Sequence, residues 1–229
     1  MVQKKKEQVS IFLAAYEGRF NEVKALVEDN NKIVNSKDED ERTPLHWAIS
    51  GSKVDIAEYL IKAGSDVDAE DEANWTPLMI AVSVGNMDIV QLLLEAGCDI
   101  NAQNENGQTA LHYAASKNRL EIAKELFKQP DLQIDLIDKQ KQTALHRAAL
   151  KSNKAFVVLL VEHHININAR DAQGNTALHI ACEEGCGDIA VYLMQHGANA
   201  ELLNNGKHKP IELAEKQVQA YIRDETEVE

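Results

Sequence analysis

The sequence predicts an all-α protein built from stacked helix–turn–helix units, and three observations carry that reading. Thr followed by Pro or Ala and then Leu recurs at Thr43, Thr76, Thr109, Thr143 and Thr176, at intervals of 33, 33, 34 and 33 residues. A fixed period near that length is the mark of a repeat architecture. Each recurrence is followed by a pair of small or apolar residues, such as Ala48-Ile49, Ala81-Val82, Ala114-Ala115, Ala148-Ala149 and Ala181-Cys182. A second apolar run then follows at helical spacing, as in Ile56, Leu60 and Ile61, Ile89, Leu93 and Leu94, or Ile122, Leu126 and Phe127.

Within a repeat each element has a physical reason. The Thr hydroxyl satisfies orphan N–H groups of a helix start, and Pro44 and Pro77 occupy the first helical position, where a missing N–H costs nothing. Small residues on one side of the first helix let neighbouring repeats approach closely. Gly85 and Gly185 suit a left-handed turn after it; Asn118 can substitute there, and Ser52 and Ser152 fit less well. Gly64, Gly97 and Gly197 cap the second helix. Segments such as Asp66-Val-Asp-Ala and Ile165-Asn-Ile-Asn-Ala are expected to run extended into the next repeat. The fourth unit departs from the pattern, ending Lys128-Gln-Pro130-Asp with no glycine cap.

A single repeat cannot bury its apolar faces, so the stack is the folding unit and its ends should diverge. Residues 1–37 keep Ala14-Ala15 and Gly18 but lack the Thr-Pro start, and read as an N-terminal cap. Full repeats follow at 38–70, 71–103, 104–137, 138–170 and 171–203. Residues 204–229 form a C-terminal cap carrying Lys209-Pro210-Ile-Glu-Leu-Ala and an acidic tail, Asp224 to Glu229, that is expected to fray. Residues 1–229 thus form one solenoid domain of seven units. At about 10 Å per layer that predicts a curved rod on the order of 70 Å, its concave face lined by the inter-repeat fingers and the first helices.

Of 229 residues, 44% are hydrophobic and only 5% aromatic, so the core rests on Leu, Ile, Val and Ala. No apolar run is long enough to span a bilayer, and no apolar stretch follows Lys4 to Lys6 as a secretory signal requires. Three cysteines, Cys98, Cys182 and Cys186, are too few for a disulfide framework and point to a reducing compartment; the localisation expected is cytoplasm and nucleus. A net charge of −13 disfavours nucleic acid and favours a basic protein partner. His46, His112, His146 and His179 recur once per repeat, a layer apart, whereas metal ligands must converge. A buried imidazole bridging the Thr hydroxyl to the next repeat's backbone accounts for them. Cys182 occupies a small core slot. No phosphate loop, paired catalytic carboxylates or Cys-x-x-Cys is present. The expectation is a monomeric binding protein with no metal, no cofactor, no catalytic residue and no membrane association.

The residues that the repeat does not require carry the functional expectation. Mapped on the concave positions, Glu39, Asp40 and Glu72 make the first fingers acidic, and Trp47 and Trp75 are candidate anchors. Arg42, Tyr113, Lys117, Arg147 and Lys151 continue along the same face. The acidic fingers should meet a basic patch on a partner. The four cations should meet carboxylates, with Arg42 and Lys117 the least solvated.

The motif Thr43-Pro-Leu-His46-x-Ala and its repeats resemble the ankyrin family, over nearly the whole chain. Within it, Arg42-Thr-Pro-Leu-His-Trp47-Ala, Trp75-Thr-Pro-Leu-Met-Ile-Ala, Leu111-His-Tyr-Ala-Ala-Ser-Lys, His146-Arg-Ala-Ala149 and Gly174-Asn-Thr-Ala-Leu-His are similar to the gankyrin family. Members of that family are seven-repeat assembly chaperones of the proteasome regulatory particle. The resemblance implies a concave face that holds the C-terminal domain of one AAA-ATPase subunit of the base and blocks premature docking onto the core particle. It also implies a Leu-x-Cys-x-Glu stretch linked to retinoblastoma-protein binding. This chain has Ile180-Ala-Cys182-Glu-Glu184 there, on a helix with Cys182 facing the stack, and the segment reads as core. A generic ankyrin signalling adaptor or kinase-inhibiting protein is the alternative.

Overall fold

In the computed structural model, which describes residues 10–226, the 33-residue period becomes a succession of short helix pairs. The first helices are α1 (Ile11–Glu17), α3 (Pro44–Ser50), α5 (Pro77–Val84), α7 (Ala110–Ser116), α9 (Ala144–Leu150) and α11 (Ala177–Glu183). Their partners are α2 (Phe20–Asp29), α4 (Val54–Lys62), α6 (Met87–Glu95), α8 (Leu120–Leu126), α10 (Lys154–Glu162) and α12 (Gly187–Gln195), with α13 (Lys216–Thr226) last. Single 3₁₀ turns lie at Asn31–Asn35 and Pro210–Leu213. There is no strand among the described residues.

Two compact units are present, Met1–Glu105 and Asn106–Glu229. In the first, α3 packs between α1 and α5 while α4 packs against α2 and α6. Leu45, Ile49, Ile56 and Leu60 are fully buried there. In the second, α9 packs between α7 and α11, the turn at Pro210–Leu213 covers α11, and α13 lies on α12. Leu145, Phe156 and Leu160 form the centre of that unit's core.

The caps depend on two glycines whose backbone angles are ordinary. A Cβ on Gly51 would fall 2.3 Å from the carbonyl oxygen of Tyr16, so α1 can close on α3 only because that atom is missing. A Cβ on Gly187 would fall 2.7 Å from the Tyr221 ring, and the same reasoning seats α13. That helix runs through Thr226, so the tail expected to fray is helical from Asp224 to Thr226. Residues 227–229, like Lys4 to Lys6, lie outside the described residues.

Turns follow local chemistry. One or two residues past the end of each first helix the chain turns left-handed whether the residue is glycine or not: Ser52, Asn118 and Ser152 have φ of 54°, 53° and 54°, against 90° at Gly85. Past the second helix the left-handed residue is Gly64, Gly97 or Gly197, and in the fifth unit His164, at φ 62°. Repeat four has none. There α8 is capped by Phe127 with φ −67°, and tight bonds from Lys128 to Glu125 and from Gln129 to Leu126 lead into Pro130. The segments expected to be extended contain turns instead. The Asp66 carboxylate accepts the N–H of Asp68, and the Asn166 side chain accepts that of Asn168. The next rung repeats the device at Asp99 and Asn199, and the rungs are tied together because Asp68 accepts the N–H of Asp99 and Asn168 that of Asn199.

Each first helix from α3 onward, α5 excepted, begins with the same buried bridge. Nδ1 of His46, His112, His146 and His179 accepts the N–H of the preceding Thr at 3.1–3.2 Å and its hydroxyl at 2.9 Å. With Nδ1 accepting, the ring proton sits on Nε2. It is donated to the carbonyls of Trp75, Gln142, Asn175 and His208 respectively, one repeat onward. Burial holds all four imidazoles below the usual histidine value of 6.5, against the upward pull of those carbonyls. A proton added at Nδ1 would confront the Thr N–H.

Two expectations follow. A group whose folded pKa is depressed stabilises the fold above its unfolded value, and that stability is lost as pH falls through the folded one. Stability should therefore decline as pH drops below about 6.5, by up to about 1.4 kcal/mol per histidine per pH unit, with a matching fall in melting temperature; a flat profile would show that the rings charge freely. Gly51→Ala should lower the urea midpoint by the equivalent of about 1–3 kcal/mol, the usual cost of overpacking. An unchanged midpoint would mean that α1 is not seated on α3.

Candidate functional site

The fingers between repeats are organised by one recurring side chain. Asp38 Oδ1 accepts the backbone N–H groups of Asp40 and Arg42, at 3.0 and 2.9 Å. Asp71, Asp138 and Asp171 do the same for the residues two and four positions later. The loop is closed by a bond from the Asp N–H to the carbonyl four residues on, as from Asp38 to Arg42. Left-handed residues complete the tip at Glu41, Asn74, Gly107, Lys141, Gly174 and Lys207. Inside each compact unit the fingers are joined edge to edge by backbone bonds, from Glu72 to Asp40, Glu105 to Ala73, Lys139 to Asn106, Ala172 to Gln140 and Asn205 to Gln173.

The second oxygen of Asp38, Asp71 and Asp138 reaches the expected contact residues. In the N-terminal unit the Trp47 indole N–H donates to Asp38 Oδ2 at 2.7 Å, and Arg42 Nε donates to Asp71 Oδ2 at 3.2 Å. The Arg42 guanidinium also lies 5.6 Å from the Trp47 ring centre, and Tyr16 meets that ring edge-on at 5.8 Å. In the C-terminal unit Arg147, in the same slot of its helix as Trp47, bonds Asp138 Oδ2 at 2.5 Å. The Asp138 side chain is wholly buried and that of Arg147 is 21% exposed. Tyr113, in the same slot again, donates its hydroxyl to Gln108 at 2.7 Å. Arg42 and Arg147 are thus engaged within their own units, and the expectation that they stand ready for a partner's carboxylates is revised accordingly. A cation bound to a buried carboxylate cannot leave without stranding that charge.

The remaining candidates are placed as follows. Glu39, Asp40 and Glu72 are exposed on the first two fingers, and Trp75 is half-buried beside them in the chain. Lys117 and Lys151 are exposed at equivalent positions, ending α7 and α9. The N-terminal unit therefore presents acidic fingers around aromatic rings, and the C-terminal unit presents lysines at its helix ends.

Between α1 and the first finger lies a groove of about 450 Å³, lined by Ser10, Phe12, Leu13, Tyr16, Asp38, Glu39, Asp40 and Trp47. Leu13 and Tyr16 stand 50% and 45% exposed in it. The α1 contribution and the anchoring role of the finger aspartates were not read from the sequence. The recurrence of Asp at 38, 71, 138 and 171 was the available signal for the second; the first lay hidden in a cap without the Thr-Pro register.

Chemically the surface offers charge, aromatic area and hydrogen bonds. Among the described residues no group of three or more His, Cys, Asp or Glu side chains is arranged to hold a metal. Burial pushes the Cys98 and Cys182 thiols up to about 12, which leaves them protonated at neutral pH. Cys182 and Ile180 are buried on α11, so the Ile180 to Glu184 stretch has its apolar side in the core.

Comparison with known proteins agrees with this construction. The family model described as ankyrin repeats (3 copies) matches residues 2–71, 63–138 and 129–204. A stretch of 44 residues, 19% of this chain and 19% of the relative, is 48% identical to 26S proteasome non-ATPase regulatory subunit 10 of Dictyostelium discoideum. Human inversin is 30% identical over 162 residues, 70% of this chain and 15% of inversin. The chain spans less than a quarter of the length of the curated relatives it matches. The crystal structure of the ankyrin repeat domain of Bcl-3 superposes with a TM-score of 0.83 at 25% identity, covering 95% of this chain and 99% of that domain. With the repeat model matching most of its length and the fold repeating the same helix-pair and finger geometry, this chain belongs to the ankyrin-repeat family.

Proposed function

We propose that this ankyrin-repeat protein-binding scaffold is a non-enzymatic assembly chaperone of the gankyrin type. Its client is the C-terminal domain of one AAA-ATPase subunit of the proteasome regulatory particle. The observation that carries the reading is the 48% identity to a proteasome regulatory subunit over 44 residues. The gankyrin-like tracts around Trp47, Tyr113 and Arg147 support it from within the sequence.

The finger side suits such a task physically. Its aromatic and cationic side chains are held by aspartates before any partner arrives, so little rotamer entropy remains to be lost on binding. Glu39, Asp40 and Glu72 attract a basic patch and raise the encounter rate, while Lys117 and Lys151 select carboxylates. A client so held cannot dock elsewhere until it is released, which is the whole of the chemistry required. The chain acts as a monomer, in the cytoplasm and nucleus, and takes no metal, cofactor, nucleic acid or membrane. The match to inversin over 70% of the chain favours a second reading, a generic ankyrin adaptor with another client.

Affinity capture and direct binding to purified ATPase C-terminal domains test the proposal. One of those domains should bind, and the chain should co-purify with base precursors and be scarce in finished proteasomes. Absence of binding at low salt to every ATPase subunit would overturn it. Within that complex Lys117→Ala should weaken binding about tenfold or more through faster dissociation, and Asp40→Lys should slow association, both with unchanged melting. Arg147→Ala should behave differently and lower stability by about 3–5 kcal/mol, because it strands buried Asp138; equal melting would show that the pair is not structural.

A further inference from the structure

The groove at the N-terminal end combines features that solvated surface does not need. On α1, Ile11, Ala14 and Ala15 face the core, which leaves Leu13 and Tyr16 in water, with Phe12 half-buried. Across from them the Trp47 indole is fixed on three sides, by its bond to Asp38, by the Tyr16 ring and by the Arg42 guanidinium. The apolar wall is therefore rigid as well as exposed, and the volume of about 450 Å³ lies in the range of binding sites.

The rim has one sign. Asp38, Glu39 and Asp40 line it. Of the cations adjacent in the chain, Arg42 is bonded to Asp71, and Lys37 to Glu41 at 3.0 Å. Among the described residues no cation is paired with Glu39 or Asp40. Exposed apolar area beside uncompensated carboxylates calls for an occupant with the opposite charge and its own apolar anchors.

We propose that this groove receives a segment of a partner protein carrying one or two large apolar side chains flanked by arginine or lysine. The apolar side chains lie against Leu13, Tyr16 and the edge of Trp47, and the cations reach Glu39 and Asp40. The proposal rests on the reading of the finger side as a protein-binding surface, and it does not require that the client be an ATPase.

The probe is a short fluorescein-labelled peptide with leucine and phenylalanine flanked by arginines, titrated into the full chain. Two controls replace its arginines by glutamate or its apolar residues by serine. The arginine peptide should bind saturably and shift the indole N–H resonance of Trp47, whereas both controls should bind about tenfold more weakly or worse. Leu13→Ser and Asp40→Lys should each weaken binding about tenfold, with unchanged melting since both sites are exposed. No saturable binding overturns the proposal. So does equal binding of the serine control, which marks mere charge attraction, and so does a Trp47 resonance that does not move. ATPase C-terminal domains are assayed in parallel. Peptide binding without domain binding keeps the groove and refutes the client; domain binding that survives Leu13→Ser and Asp40→Lys, with no peptide binding, keeps the client and refutes the groove.

Discussion

A carboxylate opens four of the fingers, and at Asp38, Asp71 and Asp138 it does two jobs at once. One oxygen of Asp38, Asp71 or Asp138 gathers two backbone N–H groups and so determines the path of the loop. The other oxygen holds a side chain that points along the finger side, namely Trp47, Arg42 or Arg147. Asp71 and Asp138 are themselves buried, so each requires its donors in place. The shape of the backbone and the posture of the contact residues therefore rest on the same atoms. The histidine bridges complete the arrangement, because each ties a helix start to the carbonyl at the foot of the following finger.

This coupling explains why the finger side suits protein binding. Many of its polar groups are engaged in mutual bonds, which holds its rings and cations in fixed positions. The half-buried thiol of Cys98 and the buried thiol of Cys182 are held protonated, and the imidazoles are held neutral with both nitrogens bonded. Rigid presentation is what a scaffold needs, since ordering costs at an interface are subtracted directly from affinity.

Most of the fold was legible because the repeat repeats its chemistry. Thr, His and the following small residues recur since every first helix must be capped, bridged and closely packed. The left-handed turn could be read at Ser52 and Ser152 even though serine is a poor choice there, because position outweighed residue type. What stayed hidden required contacts between distant residues. Arg147 read as a surface cation until Asp138, nine residues earlier, was found against it. Nothing in the repeat marks Gly51, whose role is to admit the Tyr16 carbonyl. The groove on α1 was invisible because Leu13 and Tyr16 sit in a cap without the repeat register. The turn at Asp66 to Asp68 was missed because alternating Asp and Val imitates a strand, while a side-chain bond decides otherwise.

The central claim is that partners meet the finger and first-helix side, and oxidative footprinting of aromatic side chains tests it most directly. The chain would be exposed to hydroxyl radicals alone and in complex with a bound ATPase C-terminal domain. Tyr16, Trp47, Trp75 and Tyr113, on that side, should be protected in the complex. Tyr59 and Tyr192, on second helices, and Tyr221 on α13 should be oxidised as in the free chain. Protection of Tyr59 and Tyr192 with unchanged oxidation at Trp47 and Trp75 would contradict the account.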